Sequence, residues 1–289
     1  MLHIAQTTPA NVTKALGRKA KTSFWFYDSP GEMAIAALCA GKLKQGTNWD
    51  GGLSPEEAVR RATFGDMARV SASETLLSKM EKYAFESNKR TWRNDIAGGA
   101  PDVPAYIAGQ PLSMRRRTIV ESDSAPLAII VDLVSSEGIP AETMERRGAA
   151  ILALVRVLSA RRPVELWAGA FLQGGDSHMD ACAFFCRIDT APLDLARAAH
   201  VLSSQSMSRQ IGFALGYALG GFQGRWPYVN EKVSRPMMKD IFLPAMPHVT
   251  DALCVPGAHL KDPMSKDPEA WLEQTLSALE AGETLFKAA

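Results

Sequence analysis

The chain has 289 residues, 46% apolar and 22% charged, with 32 basic and 31 acidic side chains giving a formal net charge of +1. This length suits one large domain or two ordinary ones, and the composition is that of a globular protein able to bury a sizeable core. A balanced charge leaves no global field to draw the chain onto nucleic acid or an anionic membrane, so either kind of binding needs a local patch.

Residues 1 to 22 are polar and read as a loose arm or a short helix. They lack the apolar core of a secretory signal. Ser23 to Tyr27, SFWFY, reads as a strand, and Asp28-Ser29-Pro30-Gly31 as a turn. Glu32 to Leu43 has helical spacing, and Ser29 stands three residues ahead of Glu32, as at a capped helix start. Gly46 to Gly52 is a loop carrying Trp49. Ser54-Pro55-Glu56-Glu57 opens a second helix with a capping serine, a proline and two acids. Helical character continues to Tyr83. Lys89 to Arg93 is basic and reads as exposed.

Gly98 to Met114 contains three prolines and reads as an ordered surface loop around one helical turn. Its Val103, Tyr106, Ile107 and Leu112 are apolar, so packing on the body is expected. Loops of this length often carry interactions, and Asp102 and Tyr106 are its candidate partner-binding residues. Arg115-Arg116-Arg117 and a polar linker, Glu121 to Ala125, follow. The expected division is a mainly helical N-terminal region, residues 1–122, and an α/β domain, residues 126–289.

Leu127 to Ser136, LAIIVDLVSS, is an Ile- and Val-rich run ending in an acid and hydroxyls. It reads as a buried parallel strand whose carboxyl end, with Asp132, Ser135 and Ser136, opens onto the crevice where such sheets bind ligands. A helix is expected over Ala141 to Ala160, with Arg146, Arg147 and Arg156 on its outer face. Val164–Leu172 and Ala181–Ile188 read as antiparallel neighbours because their connection is too short for a crossover. Helices over Pro192–Leu202 and Arg209–Leu219, strands over Met238–Ala245 and Ala252–Pro256, and a closing helix over Pro268–Gly282 complete an open, mostly parallel sheet with helices on both faces.

The second-half order of strand, helix, hairpin, two helices, two strands and helix, with an acid ending the first strand, resembles the von Willebrand factor A fold. That family carries Asp-x-Ser-x-Ser after its first strand; here Asp132 and Ser136 match and Val134 replaces the middle serine. The resemblance implies a divalent cation, magnesium, held by Asp132, Ser136 and Ser206. The aspartate expected after the fourth strand is absent, where the chain reads Leu243-Pro244-Ala245. It also implies a non-catalytic interaction module, with Ser135 at the partner-binding edge and a ring-forming AAA+ ATPase as the class of partner. Self-assembly, or a place in a larger particle, is the other arrangement expected.

Two further functions have sequence support. Arg90, Trp92, Arg93 and Arg115 to Arg117 interleave cations with an aromatic ring, as in grooves that hold single-stranded nucleic acid. His248 or His259 with Cys254, Ser135 or Ser136 supplies nucleophile and base types, but no Gly-x-Ser-x-Gly motif occurs. Gly216 to Gly224 is glycine-rich but follows a helix, the wrong order for a phosphate loop. Cys39, Cys182, Cys186 and Cys254 form no Cys-x-x-Cys pair, which points to free thiols in a reducing compartment. No run reaches the roughly 18 apolar residues of a membrane helix. The expected location is the cytoplasm of a bacterium or of a phage-infected cell.

Overall fold

Strand β6 (Leu127–Asp132) is buried at every position, as an Ile- and Val-rich strand packed on both faces must be. The computed structural model describes residues 2–7, 21–71, 74, 78, 90–119, 126–135, 138–159, 162–174, 181–219, 227–228, 242, 246, 249, 251–258, 263–280 and 286–287. In the main sheet, β6 lies parallel to β7 (Val164–Gly174) on one side and to β10 (Asp251–Val255) on the other. Beyond β7 comes β8 (Ala181–Ile188), antiparallel, with Ala170 opposite Phe184. Strand β2 (Lys21–Tyr27) then pairs parallel with β8, and β1 (Leu2–Thr7) pairs antiparallel with β2. The order is β1-β2-β8-β7-β6-β10-β11, where β11 is Phe286–Lys287 and a short β9 (Pro227–Tyr228) sits beside β7.

The fold is thus mixed α/β with a mostly parallel central sheet. The sheet draws strands from both sides of the division near residue 122, because β1 and β2 extend it at β8. The expected loose arm is instead β1 where it is described. Of the expected strand over Met238–Ala245 only Phe242 lies among the described residues, and it is helical and fully buried.

Strand alternation divides the core. Leu127, Ile129 and Val131 point to one face, with Leu166, Ala168, Phe184 and Tyr27. Against that face pack α1 (Pro30–Cys39), α2 (Pro55–Phe64), α4 (Ala141–Ser159), α5 (Leu195–Ser203), α6 (Phe213–Leu219) and α8 (Pro268–Glu280). Ala128 and Ile130 point the other way, into an aromatic cluster where the Phe242 ring lies 5.0 Å from Phe26 and Phe185 and 5.7 Å from Trp167. The helix starts follow the sequence: Ser29 accepts the Glu32 N–H at 3.1 Å, and Ser54 accepts the Glu57 N–H at 3.1 Å.

Gly148 lets α4 approach α5 closely; a Cβ there would lie 2.6 Å from the Leu202 carbonyl oxygen. Gly148→Ala must separate the helices, at an expected cost of about 1–3 kcal/mol in urea unfolding. A loss below about 0.5 kcal/mol would show that the contact is not confining.

A second, three-stranded antiparallel sheet stands apart in the pairing scheme. It consists of β3 (Arg90–Asp95), β5 (Met114–Ile119) and β4 (Ala100–Pro101), with helix α3 (Val103–Ile107) between β4 and β5. The basic stretch near Arg90 is therefore strand. Its charges conceal Thr91 and Trp92, which suit a pleated ladder. The expected helical turn inside Gly98–Met114 is α3.

Candidate functional site

The carboxyl edge of β6 is polar but buried. Asp132 is 1% exposed; its Oδ1 accepts the Val134 N–H at 3.0 Å and the Phe171 N–H at 3.4 Å. Burial pushes its carboxyl up to about 7, opposed by those two hydrogen bonds and the charge of Arg147. Ser135 sits three residues past the strand, where it bridges to Ala258.

Two arginines converge on this edge. Arg147, on α4, is 2% exposed and donates to the carbonyls of Asp132 at 3.1 Å and Pro256 at 2.6 Å. This corrects the outer-face expectation for Arg147: carbonyl oxygens at two strand ends replace water around its guanidinium. Arg209 lies in a π-helical turn, Ser206–Gly212, that runs directly into α6. It is 4% exposed. Its Nη2 donates to Ser135 Oγ and to the Ile139 carbonyl, both at 3.1 Å, and its Nη1 to the Trp49 carbonyl at 2.9 Å. The guanidinium also stacks 4.7 Å from the Trp49 ring centroid. Sequence reasoning took Ser206 as the useful group here and passed over the arginine. The π-turn gives no distinct sequence signal, though such turns often mark functional positions.

The expected cation ligands are only partly within the described residues. Ser136 lies outside the described residues. The fully buried Ser206 hydroxyl shares a 2.8 Å hydrogen bond with Ser204. The Ser208 hydroxyl donates to the Gln205 carbonyl at 3.4 Å. Among the described residues, no three His, Cys, Asp or Glu side chains are grouped to hold a metal ion. Asp132 Oδ1 is engaged by backbone, and two guanidinium groups share its edge.

The hydrolase constellation is not assembled by the described residues. His248 and His259 lie outside them. Cys254 packs with Ala128 and Ile130 on the aromatic face, and burial raises the Cys182 and Cys186 thiols. His200 is fully buried on α5, and neither ring nitrogen has a hydrogen-bond partner among the described residues.

The small sheet carries the other expected site residues. Asp102 caps α3 through the Ala105 N–H at 3.3 Å, and accepts from Arg115 Nε and Nη2 at 3.1 Å each and from Asn94 Nδ2 at 3.4 Å. The Ala105 bond, more than Arg115, holds its carboxyl below the usual range. Asp102 thus builds the tip. Arg116 reaches Asp95 at 3.8 Å. In the ladder, Trp92 stands opposite Arg117, Arg93 opposite Arg116 and Arg90 opposite Ile119. Tyr106 and Ile107 are 73% and 79% exposed, and Ile96, Val103 and Leu112 are exposed beside them in the sequence. The loop's apolar residues therefore face outward, against the expectation that they pack on the body.

The fold and this edge define a mixed α/β protein whose sheet crevice is closed by arginines. A family described as "Domain of unknown function (DUF7192)" matches residues 15–249, and the chain belongs to it. No curated protein and no solved structure matches the chain. Among the described residues, no helix is long and apolar enough to cross a membrane.

Proposed function

We propose that the protein is a non-catalytic interaction module of von Willebrand A-like build that docks a protein partner through the tip of its small sheet. The sheet order β8-β7-β6-β10 supports that build. The observation that carries the proposal is the apolar tip itself. Ile96, Val103, Tyr106, Ile107 and Leu112 are exposed within one short stretch, on a loop fixed by the Asp102 cap and the Arg115 ion pair. Such a tip suits a partner that offers an apolar pocket. A ring-forming AAA+ ATPase is the partner class that the resemblance implies. The arginine-rich strands favour nucleic acid less, because Arg115 and Arg116 already face Asp102 and Asp95.

The double substitution Tyr106→Asp and Ile107→Asp tests this docking. Partner protein retained from nuclease-treated native lysate is identified, and its affinity for wild type and variant is measured. The expected loss is about 2 kcal/mol or more, roughly 30-fold, as for central interface anchors. The melting temperature should be unchanged, since both side chains face solvent. Unchanged affinity would overturn the proposal. A wild-type oligomer that becomes monomeric in the variant would assign the tip to self-assembly instead.

A further inference from the structure

Apart from the tip, the loop at residues 41–53 and the helical run from Arg209 to Ala218 enclose a cleft of about 1080 Å³. Ligand pockets commonly fall near 300–1,000 Å³, so this cleft stands just past the upper end of that range. Three aromatic rings line the cleft: Trp49, Phe213 and Tyr217. Lys42, Lys44 and Arg209 also line it, against the single acidic lining residue Asp50. Lys42 and Lys44 are exposed. The Asp50 Oδ1 is engaged by the Thr47 N–H. The lining therefore has an excess of two positive charges.

The cleft is built in advance of any ligand. Gln210 Nε2 donates to the Lys44 and Leu53 carbonyls, both at 2.9 Å, and so ties the two ends of the loop to the π-turn. The Gly46 N–H closes the loop onto the Leu53 carbonyl at 2.7 Å. Trp49 is held by Arg209 from one side and meets Phe213 at 5.7 Å between ring centroids. Rings already fixed in place lose little freedom on binding, which favours planar ligands. Lysines act as mobile point charges suited to phosphate.

We propose that this cleft binds a nucleoside phosphate, with the base against Trp49, Phe213 and Tyr217 and the phosphate at Lys42 and Lys44. A phosphomonoester carries about −1.5 to −2 charges at neutral pH, which matches the excess of the lining. Aromatic faces accept every base, so the site selects the nucleotide class rather than one base. No glycine-rich phosphate loop takes part. The nucleotide is either free or one unit of a single strand.

The test titrates the full chain with AMP, GMP, CMP, UMP, inorganic phosphate and a short oligothymidylate, followed by calorimetry and tryptophan fluorescence. At least one monophosphate should saturate below about 1 mM, with inorganic phosphate at least about tenfold weaker. Lys42→Glu with Lys44→Glu should weaken the nucleotide by about tenfold or more. The folded state should persist, because among the described residues the fold uses the Lys44 backbone carbonyl and neither lysine side chain. Trp49→Phe keeps a stacking ring and should keep binding while losing part of the fluorescence change. Tight oligothymidylate binding that depends on the same lysines, with weak monophosphates, supports the same chemistry in single-strand form. Absence of saturation by any nucleotide, equal affinity for inorganic phosphate, or indifference to the lysine reversals would overturn the site.

Discussion

Arg209→Met lowers the stability of the protein by about 3–5 kcal/mol, a drop of roughly 5–8 °C in melting temperature for a chain of this size. The substitution keeps a long apolar stem and removes one fork of donors. Three oxygens from three separate segments lose their bonds: the Trp49 carbonyl, Ser135 Oγ and the Ile139 carbonyl. A buried acceptor left without a donor costs about 1–3 kcal/mol, and bonds to a charged donor sit at the upper end. The stacking of the guanidinium on Trp49 is lost as well. Arg209→Lys separates charge from geometry. It retains the cation but has no planar fork, so it should recover less than half of the loss. Thermal unfolding reads both. A methionine variant melting within about 2 °C of wild type would show that water replaces the arginine at no cost.

What the sequence makes legible here, and what it hides, follows from the range of the forces involved. The run Leu127 to Val131 identifies a central strand because apolar side chains with no polar alternation need cover on both faces. The Ser29 and Ser54 caps are legible because capping acts over three residues. The roles of Arg147 and Arg209 are hidden. A charge in sequence reads as solvated, and only tertiary structure shows that carbonyl oxygens replace its water. Arg209 meets Trp49 across 160 positions of the chain, and no local pattern encodes that meeting. Strands β3 and β5 are hidden for a related reason, since their many arginines mask residues with strand preference. The apolar tip inverts the usual rule: its residues read as core because apolar side chains are usually buried, yet Tyr106 and Ile107 are not.

Asp132→Asn and His200→Phe should tilt the dependence of stability on pH in opposite directions. Burial, followed by the charge of Arg69, takes the His200 imidazole down to about 3 from its ordinary 6.5. In the folded state it stays neutral, while the unfolded chain takes up a proton below 6.5. Its contribution is therefore complete above that pH and declines as pH falls toward 3. Asp132 has the reverse sign. Its carboxyl is raised to about 7 from 3.8, so the folded chain keeps a proton that the unfolded chain releases. Its contribution is complete below 3.8 and declines as pH rises toward 7. Each unit of separation corresponds to about 1.4 kcal/mol, so stability changes by about 4–5 kcal/mol across the full window of either group. Between about pH 4 and 6.5 the two slopes have equal size and opposite sign, and in the wild type they cancel. Asp132→Asn removes one of them. Relative to wild type, it should gain about 1.4 kcal/mol per pH unit as pH rises through that window. His200→Phe removes the other and should lose stability at the same rate. Any packing cost of either variant is a constant offset and leaves the slope alone. Urea unfolding at half-unit pH steps, with a chelator present, measures both difference curves. Two flat difference curves would mean that both groups ionise normally in the folded protein, with hydrogen bonds and neighbouring charges outweighing burial.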